Sequence, residues 1–239
     1  MDIEELVKKH STSRNELDSL FQSYLRLTFN PGDFSEDEGI KIIYGTNNLL
    51  MSLARPFFEY NKFKDTWDNS KFYMNAYGQT LILESKKTNH TFEFGIDREV
   101  IYLQSYISYP ENFKNMNDGF WRSVLELSNY GDFSFVENAV MGSKETQYFN
   151  NKKSNLFRLL RNYFLHEINN LDLESHQRNY DMNLGWFHIK WKFGTPWTEI
   201  MKNGSLAFKI LYQLHYELWK VSDLRSKKHR RSDTQSTNK

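Results

Sequence analysis

The stretch TLILESKKTNHTFEFGIDREVIYLQSYI, residues 80–107, decides the fold, because the spacing of apolar residues changes here from helical to a period of two. Three strands are predicted, at 80–86, 90–94 and 100–107. The connections at 87–89 and 95–98 are short enough for hairpins, so the strands should pair as an antiparallel meander. The segment 72–77 can add a fourth strand ahead of them.

Two helices are predicted ahead of this meander, between residues 13 and 60. Ser13–Glu16 and Ser35–Glu38 both have the capping-box pattern, in which a serine and a glutamate bind free amides of the first turn. The second helix should end or kink at Arg55, because Pro56 disfavours helical geometry in the residue before it.

After the meander, residues 118–222 are predicted to be mostly helical. A short helix is expected with Asp118 as its cap, followed later by a strand with one apolar face at 184–193. After a turn at Gly194, Thr195 is the predicted N-cap of the final helix, with Pro196 in its first position. The helix should kink or restart at Gly204 and run through 205–222, with apolar residues around most of its circumference. Such a wide apolar surface indicates central burial or a subunit interface.

Together these elements predict an α+β fold in one domain, residues 1–224. Its parts are a helical pair at 13–60, a β-meander at 71–107 and a mostly helical half at 118–222. Residues 1–12 are polar, and we expect them to be partly frayed. The last segment, 225–239, is basic and then rich in serine and threonine, which predicts a disordered tail.

The composition restricts the classes of protein that fit. The 239 residues can bury a substantial core, and the 16% aromatic content supplies much of its apolar area. Cysteine is absent, which excludes a disulfide scaffold and thiolate chemistry, and the net charge of +1 gives no global attraction to nucleic acid or membrane. The acidic start does not resemble a signal peptide, and no apolar run approaches the ~18 residues of a membrane span. We therefore expect a cytoplasmic protein without membrane contact.

The segment SNLFRLLRNYFLHEINNL, residues 154–171, has the apolar spacing of a helix, with Ser154 as its predicted N-cap. The predicted apolar face comprises Leu156, Leu159, Leu160, Tyr163, Phe164, Ile168 and Leu171. Polar side chains on or beside the opposite edge are Arg158, Arg161, Asn162, His166 and Asn169. Arg161 and His166 lie about 140° apart around the helix, and long side chains can still reach a common groove from there.

Residues Arg161–His166, RNYFLH, resemble the R-N-x-x-x-H signature of the HEPN superfamily, helical proteins that include metal-independent ribonucleases of toxin and phage-defence systems. The resemblance covers this one helix. It implies that Arg161 and His166 are a catalytic pair and that Asn162 is the supporting polar residue. It also implies a homodimer, since the site in that family usually forms between two facing copies of the helix.

In such a site the 2′-hydroxyl of RNA attacks the neighbouring phosphate. A neutral histidine can accept the hydroxyl proton or protonate the leaving oxygen, and an arginine stabilises the negative charge that builds on phosphorus. Candidate residues for binding RNA phosphates are Arg158, Lys227, Lys228, Arg230 and Arg231. No cofactor is needed for this chemistry, and the seven histidines show no zinc-ligand spacing, so no metal is predicted.

Two other functions are compatible with the sequence. An aspartate, Asp65 or Asp68, followed by Glu84-Ser85-Lys86 resembles the PD-(D/E)xK pattern of nucleases, in which carboxylates hold Mg²⁺ and the lysine activates water or steadies phosphate. This resemblance implies an alternative site at Asp68, Glu84 and Lys86. The other function is a non-enzymatic, immunity- or antitoxin-like module with a toxin or antitoxin as its partner, since aromatic residues commonly anchor protein interfaces.

Overall fold

The structure, a computed structural model, describes residues 2–10, 14–75, 78–97, 100–136, 152–171 and 184–236. The helices are α1 (Ile3–His10), α2 (Arg14–Phe29), α3 (Glu36–Asn61), α4 (Asp118–Glu126), α5 (Lys152–Leu171) and α6 (Trp197–Ser236). Short 3-10 helices lie at Pro31–Asp33, Pro110–Asn115 and Leu127–Asn129. The strands are β1 (Trp67–Asp68), β2 (Phe72–Asn75), β3 (Gly78–Ser85), β4 (His90–Asp97), β5 (Val100–Tyr106), β6 (Asp132–Val136) and β7 (Trp186–Lys192).

The described strands form one seven-stranded sheet in which every pairing is antiparallel. Its order is β1-β3-β4-β5-β7-β6, and β2 pairs with β3 beside β1. The predicted α+β fold is therefore confirmed, with N-terminal helices, a central meander and a C-terminal strand–helix unit. The hairpin between β4 and β5 is tighter than predicted, because β4 continues to Asp97 rather than ending at Phe94.

One face of the sheet is apolar and packs against α3 and α6. The strand period of two places Phe92 and Phe94 on this face, and both are fully buried. The Phe94 ring lies 5.1 Å from Phe57 of α3, and the Phe92 ring lies 5.0 Å from Phe208 of α6. The core is thus a layer of aromatic residues between these two helices and the apolar face of the sheet. We call this apolar face the inner face.

Helix α6 is longer and more continuous than the sequence predicted. It begins at Trp197, directly after the predicted proline start at Pro196, and it passes through Gly204 without the predicted restart. A Cβ at position 204 would lie 2.8 Å from the Phe57 ring, so the missing side chain lets α3 and α6 approach closely. Glycine here serves helix packing rather than helix termination.

Three predicted termini differ from the structure. Residues 3–10 form α1 with Ile3, Leu6 and Val7 buried, so this segment is part of the core rather than frayed. Helix α3 does not end at Arg55 but continues through Pro56 to Asn61, and both Pro56 and the following Phe57 are buried. Helix α5 begins at Lys152, so Ser154 lies inside the helix and is not its N-cap.

The caps themselves are partly as predicted. Ser35 Oγ accepts a hydrogen bond from the Glu38 amide at 3.3 Å, and the Glu38 carboxylate accepts from the Ser35 amide at 2.9 Å, which confirms the second capping box. Ser13 of the first box lies outside the described residues. Helix α4 is capped by Asn117, which accepts from the Phe120 amide, and not by Asp118.

The C-terminal segment is helical where disorder was predicted. Helix α6 continues without interruption to Ser236, and the Arg225 guanidinium donates a hydrogen bond to Asn112 Oδ1 at 2.8 Å. Residues 237–239 lie outside the described part. Among the described residues, no helix has the length and apolar character needed to cross a membrane.

Candidate functional site

Helix α5, which carries the R-N-x-x-x-H motif, packs against α4 and β6. Its contact side buries Leu159 and Tyr163, and the Tyr163 ring lies 5.8 Å from Phe113. Both residues belong to the predicted apolar face. The inward orientation of α5 is therefore set by these two side chains.

Other apolar residues of α5 face solvent. Phe157 is 72% exposed, Phe164 and Ile168 are each 56% exposed, and Leu165 is 39% exposed. Arg161 is exposed in the same row, so these five residues form a stripe with steps of three, four and one residues. We call this row, Phe157, Arg161, Phe164, Leu165 and Ile168, the α5 stripe. The sequence placed Phe164 and Ile168 on the buried face, which they do not join.

The other motif residues lie beside the stripe. Asn162 and His166 are half-buried, and the His166 Nε2 atom is covered. Arg161 and His166 thus share a helix but differ in exposure, the guanidinium being open to solvent and the imidazole partly packed. Arg158, the nearest predicted phosphate-binding residue, is also half-buried.

The predicted phosphate-binding residues of the C-terminal segment lie on α6. Lys227 is exposed, and its ammonium group pairs with Asp223 at 2.7 Å. Lys228, Arg230 and Arg231 belong to the last turns of the helix, where the structure describes the backbone and not the side chains. Whether these residues contact RNA stays a prediction.

The three residues of the alternative nuclease site do come together. Asp68 on β1 pairs in register with Glu84 on β3. The Lys86 ammonium lies 2.8 Å from Glu84 Oε1 and 3.2 Å from Asp68 Oδ2. Lys71 adds a second ammonium, 3.0 Å from Glu84 Oε2 and 3.6 Å from Asp68 Oδ2. We call these four residues the charge cluster.

The carboxylate oxygens of the charge cluster have no position left open for a metal ion, because each of them already faces a hydrogen-bond donor or an ammonium group. Asp68 Oδ1 accepts from the Ser70 hydroxyl at 2.7 Å and from the Ser70 amide at 3.2 Å, and the other three oxygens face the two lysines. The Ser70 hydrogen bonds, and then Lys86, hold the pKa of Asp68 far below its usual range. Lys86, and then Lys71, lower the pKa of Glu84 in the same way. Two carboxylates and two ammonium groups balance, which leaves no net negative charge to attract Mg²⁺.

Asp65, the other candidate aspartate of the PD-(D/E)xK-like pattern, also has hydrogen-bond partners. Asp65 Oδ2 accepts from the Ser85 hydroxyl at 2.6 Å and from the Tyr212 hydroxyl at 2.9 Å. It therefore ties the β1 region to α6. In the described part of the chain, no group of three or more histidine, aspartate or glutamate residues is arranged to hold a metal ion.

The sequence analysis did not single out the polar residues on the face of the sheet opposite α3 and α6, which we call the outer face. Cross-strand pairing brings Glu93, Gln104, His188 and Ser134 into one row, each on a different strand. Burial lowers the pKa of His188 to about 4, so its imidazole is neutral at physiological pH. The signal was present in the alternation of HTFEFGID at 90–97, which puts Glu93 on the face opposite Phe92 and Phe94.

Two further histidines form a buried pair on the inner face. His90 of β4 and His215 of α6 stack with their ring centroids 3.5 Å apart. The His215 ring shares a hydrogen bond of 2.8 Å with Ser105, and the His90 ring shares one of 3.0 Å with Ser108. Burial lowers the pKa of His90 to about 3, and burial together with the neighbouring His90 lowers the pKa of His215. Both imidazoles are neutral parts of the core.

No protein-family model, curated protein or solved structure matches this chain. Any functional conclusion therefore rests on the residues and their geometry. The resemblance to HEPN proteins is confined to the motif at residues 161–166.

Proposed function

We propose that the protein is a metal-independent endoribonuclease of a toxin or phage-defence system, with RNA bound along the α5 stripe. The observation that supports this most is the exposure of two aromatic rings, Phe157 and Phe164, on either side of the Arg161 guanidinium. Single-stranded RNA is bound by stacking of its bases on aromatic rings and by cationic contacts to its phosphates. The α5 stripe offers both on one helix.

The motif residues have distinct roles in this proposal. Arg161 binds the scissile phosphate and stabilises the charge that develops on its oxygens. His166 acts as the general base that accepts the proton of the 2′-hydroxyl. The 2′-oxygen then bonds to phosphorus and the bond to the 5′-oxygen breaks. The leaving 5′-oxygen takes a proton from water and His166 releases its proton to water, so the products are a 2′,3′-cyclic phosphate and a 5′-hydroxyl. Asn162 supports the position of His166 as its neighbour one turn away.

A second copy of the chain fits the same proposal. The apolar members of the α5 stripe are the kind of surface that a facing helix covers in a homodimer. In the dimer the two stripes would form the walls of one RNA-binding cleft. The homodimer is part of the proposal and rests on the HEPN resemblance.

The decisive experiment is RNA cleavage by the purified full chain in excess EDTA. We expect His166→Ala and Arg161→Ala each to lower the cleavage rate by at least about 100-fold, the usual contribution of an acid–base or charge-stabilising group. Arg122→Ala is the matched control, because Arg122 is an exposed arginine on the neighbouring α4. Glu84→Ala tests the charge cluster and should leave the rate unchanged. Circular dichroism confirms that each variant is folded.

Two outcomes would reject this function. If His166→Ala cleaves RNA at the wild-type rate, Arg161 and His166 are not a catalytic pair. If EDTA abolishes cleavage and Glu84→Ala is inactive, the activity is Mg²⁺-dependent and its site is formed by Asp68, Glu84 and Lys86.

The second candidate function is the immunity- or antitoxin-like protein-binding module. It is favoured by the same stripe, because large apolar side chains around an arginine are typical of the centre of a protein interface. A chain that cleaves no RNA but forms a complex with a toxin or antitoxin, lost in Phe164→Ala, would establish this function and exclude the first.

A further inference from the structure

Glu93 is a carboxylate that the fold places almost out of contact with water. Its side chain points to the outer face of β4, in the opposite phase to Phe92 and Phe94, and the residue is 8% exposed. Ile82 of β3 and Gln104 of β5 are its cross-strand neighbours. Carboxylates are rarely buried to this degree unless a cation or metal compensates their charge.

The hydrogen bonds of Glu93 leave one carboxylate oxygen open. Oε2 accepts from the Tyr73 hydroxyl at 2.9 Å and from the Gln104 amide at 2.7 Å. Both donors are neutral. Oε1 accepts no hydrogen bond from the described residues, and it is not among the fully covered side-chain atoms.

A compensating cation is absent from the described part of the chain. No lysine, arginine or histidine there lies within ion-pair distance of the Glu93 carboxylate. The contrast with Glu84 is direct, since Glu84 lies on the same face and binds two lysines. Removing a carboxylate from water without a partner charge is costly, and the cost falls when a ligand supplies that charge.

The surroundings of Glu93 favour an organic cation over a metal ion. Tyr73, whose hydroxyl binds Glu93, is 41% exposed. On the same face, Tyr106 and Trp186 form an edge-to-face pair with ring centroids 5.4 Å apart. Tyr106 is the diagonal cross-strand neighbour of Glu93, at a spacing of about 7–8 Å that aromatic side chains can bridge. Aromatic rings beside a carboxylate bind alkylammonium and guanidinium groups, whereas Mg²⁺ and Ca²⁺ need several oxygen ligands.

We propose that Glu93 is the anionic centre of a binding site for an organic cation, a guanidinium or alkylammonium group. Oε1 of Glu93 binds the cation, and Tyr73 together with the Tyr106–Trp186 pair supplies the aromatic wall. The proposal does not depend on RNA cleavage, because it uses strands of the outer face and none of the residues of the α5 stripe.

Calorimetric titration of the full chain with three probes tests the site. Tetramethylammonium represents a free small-molecule cation, and N-acetyl-arginine amide represents a side chain of a protein partner. N-acetyl-citrulline amide is the neutral isostere of the arginine probe. We expect at least one cation to bind with a dissociation constant on the order of 1 mM, as is usual for a single small group, and the citrulline probe not to bind.

The variants place the cation at Glu93. Glu93→Gln keeps an oxygen acceptor for Tyr73 and Gln104 but removes the charge. It should raise the dissociation constant of the cation by at least about tenfold. Glu93→Asp keeps the charge and should retain binding. Glu84→Gln, the matched control on the same face, should bind as the wild type does.

The outcome of the titrations is decisive in each case. Binding of tetramethylammonium alone identifies a small-molecule site, and binding of the arginine probe alone identifies a site for a protein side chain. Equal binding of arginine and citrulline probes, no binding of either cation, or unchanged binding in Glu93→Gln would overturn the proposal. If Glu93→Gln does not fold, Tyr73→Leu takes its place, since it removes part of the aromatic wall at an exposed position, and unchanged binding in Tyr73→Leu would overturn the proposal.

Discussion

Helices α5 and α6 are both apolar around much of their circumference, yet the fold uses them in opposite ways. Helix α6 buries Phe208, Leu211 and Leu218 against α3 and the inner face of the sheet. It leaves only a polar row, Lys209, Gln213, Glu217 and Lys220, fully open to solvent along residues 205–222. Helix α5 buries Leu159 and Tyr163 but exposes the α5 stripe.

The difference shows that a wide apolar surface does not by itself indicate a core helix. Helix α6 contacts α3, α4, α1 and β5, so it has partners on several sides. Among the described elements, helix α5 contacts mainly α4 and β6, on the side of Leu159 and Tyr163. The apolar side chains left over on α5 contribute little to folding, and exposed groups of this size are usually retained for binding. Stability should therefore depend on α6 and function on α5.

The largest expected effect is on folding stability, through Phe208. This fully buried ring has five aromatic neighbours with centroids within 5.6 Å, namely Phe57, Phe58, Phe63, Trp67 and Phe92. Phe208→Ala should lower the free energy of unfolding by about 3–5 kcal/mol, because it leaves a cavity among these rings. Phe157→Ala on α5 should change it by no more than ~0.5 kcal/mol. Urea unfolding followed by circular dichroism measures both.

The same pair of variants can break the comparison. A loss in Phe157→Ala as large as that in Phe208→Ala would mean that the α5 stripe is packed and not open. If Phe208→Ala does not fold, Phe208→Leu is the replacement, and it should still lose more stability than Phe157→Ala.

The second effect is a pH dependence located on α6 and β4. Burial lowers the pKa of His90 from 6.5 to about 3 in the folded state, so the unfolded chain binds a proton first as the pH falls below 6.5. Stability is thus lost progressively between pH 6.5 and about 3. From His90 alone the loss at pH 5, relative to pH 7.5, is about 2 kcal/mol, and the lowered pKa of His215 adds to it.

The variant His90→Gln isolates this contribution, because the amide cannot be protonated in this range. Urea unfolding at pH 7.5 and pH 5 should show a fall in stability that is about 2 kcal/mol smaller in His90→Gln than in the wild type. Equal falls in the two proteins would show that the histidine pair is not buried as the structure has it.

The fold was largely predictable from local patterns. Alternation at 80–107 gave the three central strands, and the alternation of Trp186–Lys192 gave the strand whose buried side is Phe187, Ile189 and Trp191. Both patterns depend on residues that are two positions apart in the chain, so they can be read from the sequence alone. The end of α3 was not predictable in this way, because the residue after Pro56, Phe57, packs against Phe94 and Phe208, which are far away in the chain.

The site was less predictable than the fold, since exposure is a property of the assembled layers. The spacing of α5 gave a helix with one broad apolar face but could not tell which part of that face α4 and β6 would cover. The convergence of Asp68, Glu84 and Lys86 followed from a motif, whereas the second lysine that closes the cluster, Lys71, belongs to no part of it. The outer-face position of Glu93 was implicit in the strand alternation, but its missing counter-charge became evident only with neighbouring strands in place.

The third effect concerns RNA affinity and separates the α5 stripe from the buried side of the same helix. Phe164→Ala should weaken binding of a short single-stranded RNA by roughly 1–3 kcal/mol, the usual loss of one base-stacking ring, and leave stability within ~0.5 kcal/mol. Leu159→Ala, on the buried side, should lose about 2–5 kcal/mol of stability. Fluorescence anisotropy with labelled RNA measures the affinity. If Phe157→Ala and Phe164→Ala both bind RNA with unchanged affinity, RNA does not bind along the α5 stripe.

The smallest effect tests how tightly α6 is held against α3. At position 204 an added Cβ would meet the Phe57 ring at 2.8 Å, whereas at position 45 of α3 it would meet the flexible end of Leu20 at 3.4 Å. Alanine favours a helix over glycine by about 1 kcal/mol at either position. Overpacking costs about 1–3 kcal/mol and applies to position 204, so Gly204→Ala should lose about 1 kcal/mol in net terms. Gly45→Ala should gain up to about 1 kcal/mol, because its neighbour can move aside. If urea unfolding shows that both variants are stabilised, then α3 and α6 are not in the close contact that makes α6 the central helix, and the contrast with α5 fails at that point.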